Sequence, residues 1–131
     1  MTRINIVPVK ELSDQWLIAE YRELPRVLKQ NINIDNAPNN YILGKGHMKW
    51  ARKHGLFTSK RMQEIIKEMH YRGFKTNFLS DLSSYVKDNI KLDYKPDLKD
   101  LELNKERLIF KYHKKPNFYR WTKRNRPDYL K

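Results

Sequence analysis

The chain has 131 residues, with 28 Lys+Arg against 15 Asp+Glu, a formal charge of +13, and no cysteine. That length suits one domain, here residues 1–131, with one modest core. The absent cysteines exclude a disulfide framework and thiolate metal sites, and they point to a reducing cytoplasm. The charge favours a polyanionic partner. No apolar run reaches the length of a membrane span, nothing resembles a signal peptide, and the basic segments lack the apolar face needed to lie on an anionic membrane.

Thr2 follows Met1. A residue this small normally lets methionine aminopeptidase clear Met1, leaving the free α-amine of Thr2. An α-amine has a reference pKa of about 7.7–8.0, so a usable fraction is neutral near pH 7. A neutral amine is a nucleophile that can form an imine with an opened sugar.

Helical periodicity recurs along the chain and period-two alternation does not, so an all-α fold is expected. The first long helix should run from Ser13 or Asp14 into the high twenties, with Leu17, Tyr21, Leu24 and Leu28 on one core-facing stripe. Arg22 and Arg26 share a different face, with Glu23 beside it. Pro25 removes one backbone hydrogen bond and predicts a kink next to Glu23. Residues 31–40, rich in Asn, read as a loop. A short helix follows between Gly46 and Gly55. Thr58 or Ser59 should cap the next one, with Met62, Ile65, Ile66 and Met69 as its core stripe and Gly73 at its end. Residues 75–103 suggest polar turns at Ser80–Ser84 and Tyr94–Asp97 around a short helix. A last helix is expected from Asn104 to just before Pro116.

Between Arg107 and Lys131 lie nine Lys/Arg, one acidic residue and six aromatics. Arg107, Lys111 and Lys115 follow the last helix, and Phe118, Tyr119 and Trp121 interleave with Arg120. Cations suit phosphates and aromatic rings suit bases. Any one of these aromatics can equally pin the tail to the core. Glu23 between two arginines reads, from spacing alone, as a solvated face with a weak ion pair. Both arginines can also enter a DNA groove. His47 suits a structural role or a phosphate contact. The GKG at Gly44–Gly46 lacks the following Ser/Thr of a P-loop. Glu11 and Glu20 read as surface charges or capping groups. The four histidines form no metal-ligand pattern, and no cofactor is expected.

Several segments carry a more specific signal. TRIN at Thr2–Asn5 and AEYRELPRV at Ala19–Val27 closely resemble the phage pyrimidine-dimer DNA glycosylase family, also called the UV-damage endonuclease V family. ILGKGH at Ile42–His47, RGF at Arg72–Phe74 and the basic–aromatic stretch through Trp121 extend the resemblance over most of the chain. The resemblance implies a compact all-α glycosylase with apurinic/apyrimidinic lyase activity. The Thr2 amine would attack C1′ of the 5′ nucleotide of a cyclobutane dimer, and β-elimination would then cut the strand. The position of Glu23 is that of the family's essential carboxylate. Arg3, Arg22 and Arg26 match residues that contact the DNA around the lesion, where the opposing adenine is flipped out of a kinked duplex. The partner would be double-stranded DNA carrying pyrimidine dimers or abasic sites, bound by a monomer. Trp16, the short loop at residues 31–40 and the divergent residues 48–57 depart from the family pattern. Action on another damaged base, or DNA binding without catalysis, are the alternative readings.

Overall fold

The computed structural model describes residues 4–77 and 81–131. The expectations for Met1, Thr2 and Arg3, and for a turn beginning at Ser80, fall outside the described residues. Four α-helices are present among the described residues, with no strand. They are α1 (Asp14–Lys29), α2 (His47–Lys53), α3 (Gly55–Tyr71) and α4 (Leu98–Lys114).

Helix α1 starts where Ser13 Oγ accepts the Trp16 amide at 3.1 Å, satisfying one orphan donor of the first turn. Its expected stripe, Leu17, Tyr21, Leu24 and Leu28, is buried. Trp16, Glu20 and Val27 are buried as well, so α1 is covered on more than one side. The helix continues through Pro25. Past its end, the Arg52 guanidinium donates to the carbonyls of Val27, Leu28 and Gln30 at 3.0, 3.0 and 2.6 Å, supplying the donors that a helix C-terminus lacks.

Residues 31–40 form no regular element, as expected. Lys49 reaches back from α2 to the Asp35 carbonyl at 3.0 Å and holds this loop against that helix. Gly46 sits at the start of α2 with φ +91°, a backbone region that favours glycine. Helix α3 begins four residues earlier than a cap at Thr58 would place it, with His54 in the cap position. Thr58 is not a cap: it lies inside the helix, and its hydroxyl donates to the Ala51 carbonyl at 2.7 Å. Gly55 is the first residue of α3, and space explains why it is a glycine. A Cβ at Gly55 would stand 2.1 Å from the Ile90 carbonyl oxygen. Met62, Ile65, Ile66 and Met69 face α1 and the core, all buried. Gly73 then takes φ +90° after the last turn.

The stretch after α3 differs from expectation. It holds two single-turn 3-10 segments, Ser83–Tyr85 and Asp88–Ile90, rather than an α-helix. Helix α4 starts at Leu98 and not at Asn104. The polar turn that looked like a boundary is its cap: the Asp97 side chain accepts the Asp100 amide at 2.8 Å and Asp100 accepts the Asp97 amide at 3.2 Å. Asn104 is instead mid-helix and fully buried. Buried side chains from all four helices and from Ile4, Ile6, Val7 and Leu12 form one core cluster, so the N-terminal segment is an interior element.

Candidate active site

Residues Ile4–Val7 have neither helix nor sheet neighbours to satisfy their backbone, yet they are buried. A buried amide without a partner is costly, so each must be paired with something else. Side chains do this. The Ile4 amide donates to His47 Nε2 at 3.0 Å and the Asn5 amide to Glu20 Oε1 at 3.2 Å. The Ile6 and Val7 amides both donate to Asn104 Oδ1, at 2.7 and 3.1 Å. On the carbonyl side, Tyr41 Oη donates to Ile4 at 2.9 Å and Arg61 Nη1 to Val7 at 2.6 Å. The partners come from α1, α2, α3, α4 and the loop before α2, so the segment is fastened to every layer of the fold.

Two of these residues correct the sequence reading. Glu20 is no surface charge: it is fully buried, and Arg61 Nε donates to its Oε2 at 2.7 Å. Glu20 Oε1 also accepts the Asn5 side-chain amide at 3.0 Å, and Asn104 Nδ2 donates to Asn5 Oδ1 at 2.8 Å. His47 was a candidate DNA contact, but only 2% of it is exposed, and its ring faces Ile4 and Ile42. The ILGKGH turn thus places an imidazole in the interior.

Glu23 sits one turn beyond Glu20 on α1. Its side chain is 15% exposed, and Arg26 Nη1 lies 3.9 Å from Oε2. That separation and the 64% exposure of Arg26 make the pair weak. Arg22 is exposed on the same helix. A recessed carboxylate is therefore flanked by two cations free to meet solvent, one helical turn from the carboxylate that grips Asn5.

The basic tail is divided in its use. Tyr119 and Trp121 turn inward. Trp16 packs on Tyr119 with ring centroids 4.6 Å apart and meets Trp121 edge-on at 6.2 Å, and Trp121 Nε1 donates to the Glu11 carbonyl at 3.0 Å. Tyr112 of α4 completes this cluster, 5.9 Å from Tyr119. Phe118 is 56% exposed, and Arg120 and Lys115 are also exposed. The Arg120 backbone is fixed between the Asp14 amide and the Gln15 side chain, at 2.7 and 3.0 Å. On α4, Arg107 and Lys111 are half-buried neighbours, and burial, then Arg107, push the Lys111 amine below its ordinary value.

A second buried network anchors the tail. Arg72 Nη1 donates to Asp14 Oδ1 at 2.9 Å and its Nε to Glu68 Oε2 at 2.8 Å. Arg124 grips both Glu68 oxygens at 2.9 Å, and Thr122 Oγ1 donates to Asp14 Oδ2 at 2.6 Å. Burial pushes the Glu68 carboxyl up, but the hydrogen bonds from Arg124 and Arg72 outweigh it and leave the group below its ordinary value. A carboxylate depressed on folding contributes stability that is complete above its unfolded pKa and is lost as pH falls through the folded one. Urea unfolding midpoints should therefore fall with acidification below about pH 5, near the ordinary carboxylate range. Glu68→Gln should flatten part of that fall, which the same titration of midpoints would measure.

The Glu20 signal was present in the sequence: it occupies a position within the apolar stripe, three residues after Leu17 and four before Leu24. Asn5, Tyr41, Arg61 and Asn104 gave no comparable sign. Among the described residues, no group of three or more His, Asp or Glu side chains could hold a metal ion, and no helix is long and apolar enough to cross a membrane.

A basic all-α protein whose interior clasps its own N-terminal segment beside an arginine-flanked carboxylate has the parts of an enzyme acting on a polyanion. The family model for pyrimidine dimer DNA glycosylase matches residues 1–81, which include α1 to α3 and the whole N-terminal segment. The chain belongs to the pyrimidine dimer DNA glycosylase family.

Proposed function

We propose that this chain, acting as one domain over residues 1–131, excises UV-induced cyclobutane pyrimidine dimers and cleaves the resulting abasic strand through an imine at the Thr2 amine. The observation that supports it best is the fastening of Ile4–Val7. Asn5 is held by Glu20, one turn from Glu23, and Thr2 is three residues from Asn5. At about 3.8 Å per Cα step, the chain length allows the amine to lie no more than about 11 Å from the Asn5 Cα. Holding a nucleophile in place replaces much of the entropy cost of a bimolecular encounter.

In this reading the neutral Thr2 amine forms a bond to C1′ as the glycosidic C–N bond breaks and the base departs with the bonding pair. The amine then gives up a proton, the C1′–O4′ bond opens, and the sugar remains as an imine. Removal of a C2′ proton expels the 3′ phosphate by β-elimination, and water finally releases the imine. Glu23 stabilises positive charge developing on the sugar and relays protons in the imine steps. The cations at Arg3, Arg22 and Arg26 favour the neutral amine by like-charge repulsion and hold phosphates around the lesion. Arg107, Lys111, Lys115 and Arg120 extend the phosphate contacts, with Phe118 exposed to meet bases. Tyr119 and Trp121 serve from beneath by fixing the backbone that presents Arg120.

Borohydride trapping on duplex DNA with one cis-syn thymine dimer tests this directly. A covalent adduct mapped to Thr2 of Met1-processed protein, absent with undamaged duplex, is expected. An adduct only on abasic DNA would leave a lyase with a different target base, and no adduct on either would leave a DNA-binding protein. Salt offers an independent check. If each of these seven cations neutralises one phosphate, the log–log slope for binding is about −6, and a flat dependence would count against the basic surface.

A further inference from the structure

We propose that Phe110 is a DNA-contacting ring, pressed into a groove of the duplex between two phosphate-binding cations, Arg107 and Lys114. The inference rests on the DNA-repair reading above and adds a contact to it. Its basis is the outer face of α4. The buried residues of this helix, Asp100, Asn104, Leu108 and Tyr112, recur every fourth position and fix one side of it to the core. Phe110 lies on the opposite side and is 51% exposed. Arg107 and Lys114 stand three residues before it and four after it, on its side of the helix. Arg107 Cζ is 5.4 Å from the centre of the ring, and Lys114 Nζ is 4.3 Å from it.

The macrodipole of α4 favours cations in its last turn, which is reason enough for Lys114 there. It gives no reason for Arg107 further back, and none for an exposed ring. No acidic residue lies between Arg107 and Lys114. Among the described residues, neither cation is in an ion pair. Tyr71 makes the contrast. It is also half-exposed against a guanidinium, 4.2 Å away, but Arg124 spends that group on both oxygens of Glu68.

Charge selects the partner. A second copy of this chain would set the same cations against each other, and a neutral apolar surface would desolvate them without compensation. A polyanion neutralises them. Spacing narrows the polyanion to a duplex. Seven residues of helix separate Arg107 from Lys114 by about 10 Å, with Phe110 near the middle. The grooves of DNA are about 6 and 12 Å wide, so two long cations can reach phosphates on facing walls while the ring enters between them. A cation–ring attraction at an exposed site is weak, so each cation can exchange the ring for a phosphate.

Salt separates the two kinds of contact. Phosphate contacts set the slope of log affinity against log salt, and contacts that release no counterions set its level. The test measures binding of the full chain to a duplex with one thymine dimer, from about 50 to about 200 mM NaCl. Phe110→Ala should bind at least about fivefold more weakly at every salt concentration, with the slope unchanged. Arg107→Gln should instead make the slope shallower by about 0.9. Phe110→Trp should keep the affinity, and its emission should shift with duplex by more than that of the unmodified chain, which carries Trp16, Trp50 and Trp121. This variant decides the matter if Phe110→Ala does not fold. Phe110→Ala binding within about twofold of the unmodified chain throughout, or a Phe110→Trp emission that ignores duplex, would overturn the proposal. A shallower slope in Phe110→Ala with unchanged affinity at the highest salt would overturn it too, since the ring would then serve only to hold its two cations. In each of these cases the unmodified chain still binds and the repair reading stands. An unmodified chain that binds no duplex would remove that reading and this contact with it.

Discussion

Glu23→Gln is expected to lower single-turnover base excision by about 10²–10⁴-fold, the usual range for loss of a positioned acid–base group. Gln keeps the size and hydrogen-bonding capacity of Glu and removes only the charge. The Glu23 side chain is 15% exposed and its Arg26 neighbour is 3.9 Å away, so little folding energy is tied up in the pair. DNA binding should be retained or slightly tightened, because a negative charge has left a basic surface. Parallel measurement of melting temperature, affinity for dimer-containing duplex and excision rate separates these effects. Excision at the unmodified rate would remove Glu23 from the mechanism.

Glu20→Gln, one turn away, should fail in the opposite manner. Here the carboxylate is fully buried and bonded to Arg61, whose side chain is 4% exposed. Removing one charge leaves the Arg61 guanidinium desolvated without its counterion, which costs about 3–5 kcal/mol. For a chain of this size that corresponds to a fall in melting temperature of about 10 °C or more. The double variant Glu20→Leu/Arg61→Leu should be less damaged than the two single losses summed, because no buried charge remains unpaired. The Asn5 amide would still lack its acceptor, so full recovery is not expected. Calorimetric or urea unfolding of the unmodified chain, Glu20→Gln, Glu20→Leu, Arg61→Leu and the double variant tests this. If Glu20→Gln unfolds like the unmodified chain, the buried pair is not holding the N-terminal segment in place.

These two glutamates show why periodicity reads some roles and misses others. Both lie in AEYRELPRV, and both are carboxylates on one amphipathic helix. Spacing placed Leu17, Tyr21, Leu24 and Leu28 in the core correctly, since a 3.6-residue repeat maps directly onto one face. It also puts Glu20 within that stripe, but it does not say which element supplies the partners of a carboxylate there. Glu20 is interior because Ile4–Val7 runs beside α1, a contact between residues 15 positions apart. Likewise Asn104 was expected at the start of the last helix and lies inside it. Its true task is to serve the Ile6 and Val7 amides, 98 and 97 positions away.

The same division runs through the tail. Its cations and aromatics are plain in the composition, and each aromatic allows either contact with a base or contact with the core. Trp16 packs on Tyr119 and meets Trp121 edge-on, tying both half-buried rings to the core, and Glu68 and Asp14 draw Arg124 and Thr122 inward. Sequence alone determined the all-α class, the bounds of α1, the core stripes of α1 and α3, and the match to the glycosylase family. Those follow from local propensity, short-range periodicity and motif order. Tertiary structure alone decided the start of α3 at Gly55 and the use of His47, Arg61 and Asn104, together with the stripe carboxylate Glu20, as a clasp for the N-terminal segment. A buried backbone with no sheet or helix of its own must take hydrogen bonds from whatever side chains the rest of the fold brings to it, and which ones those are is settled only when distant parts of the chain meet.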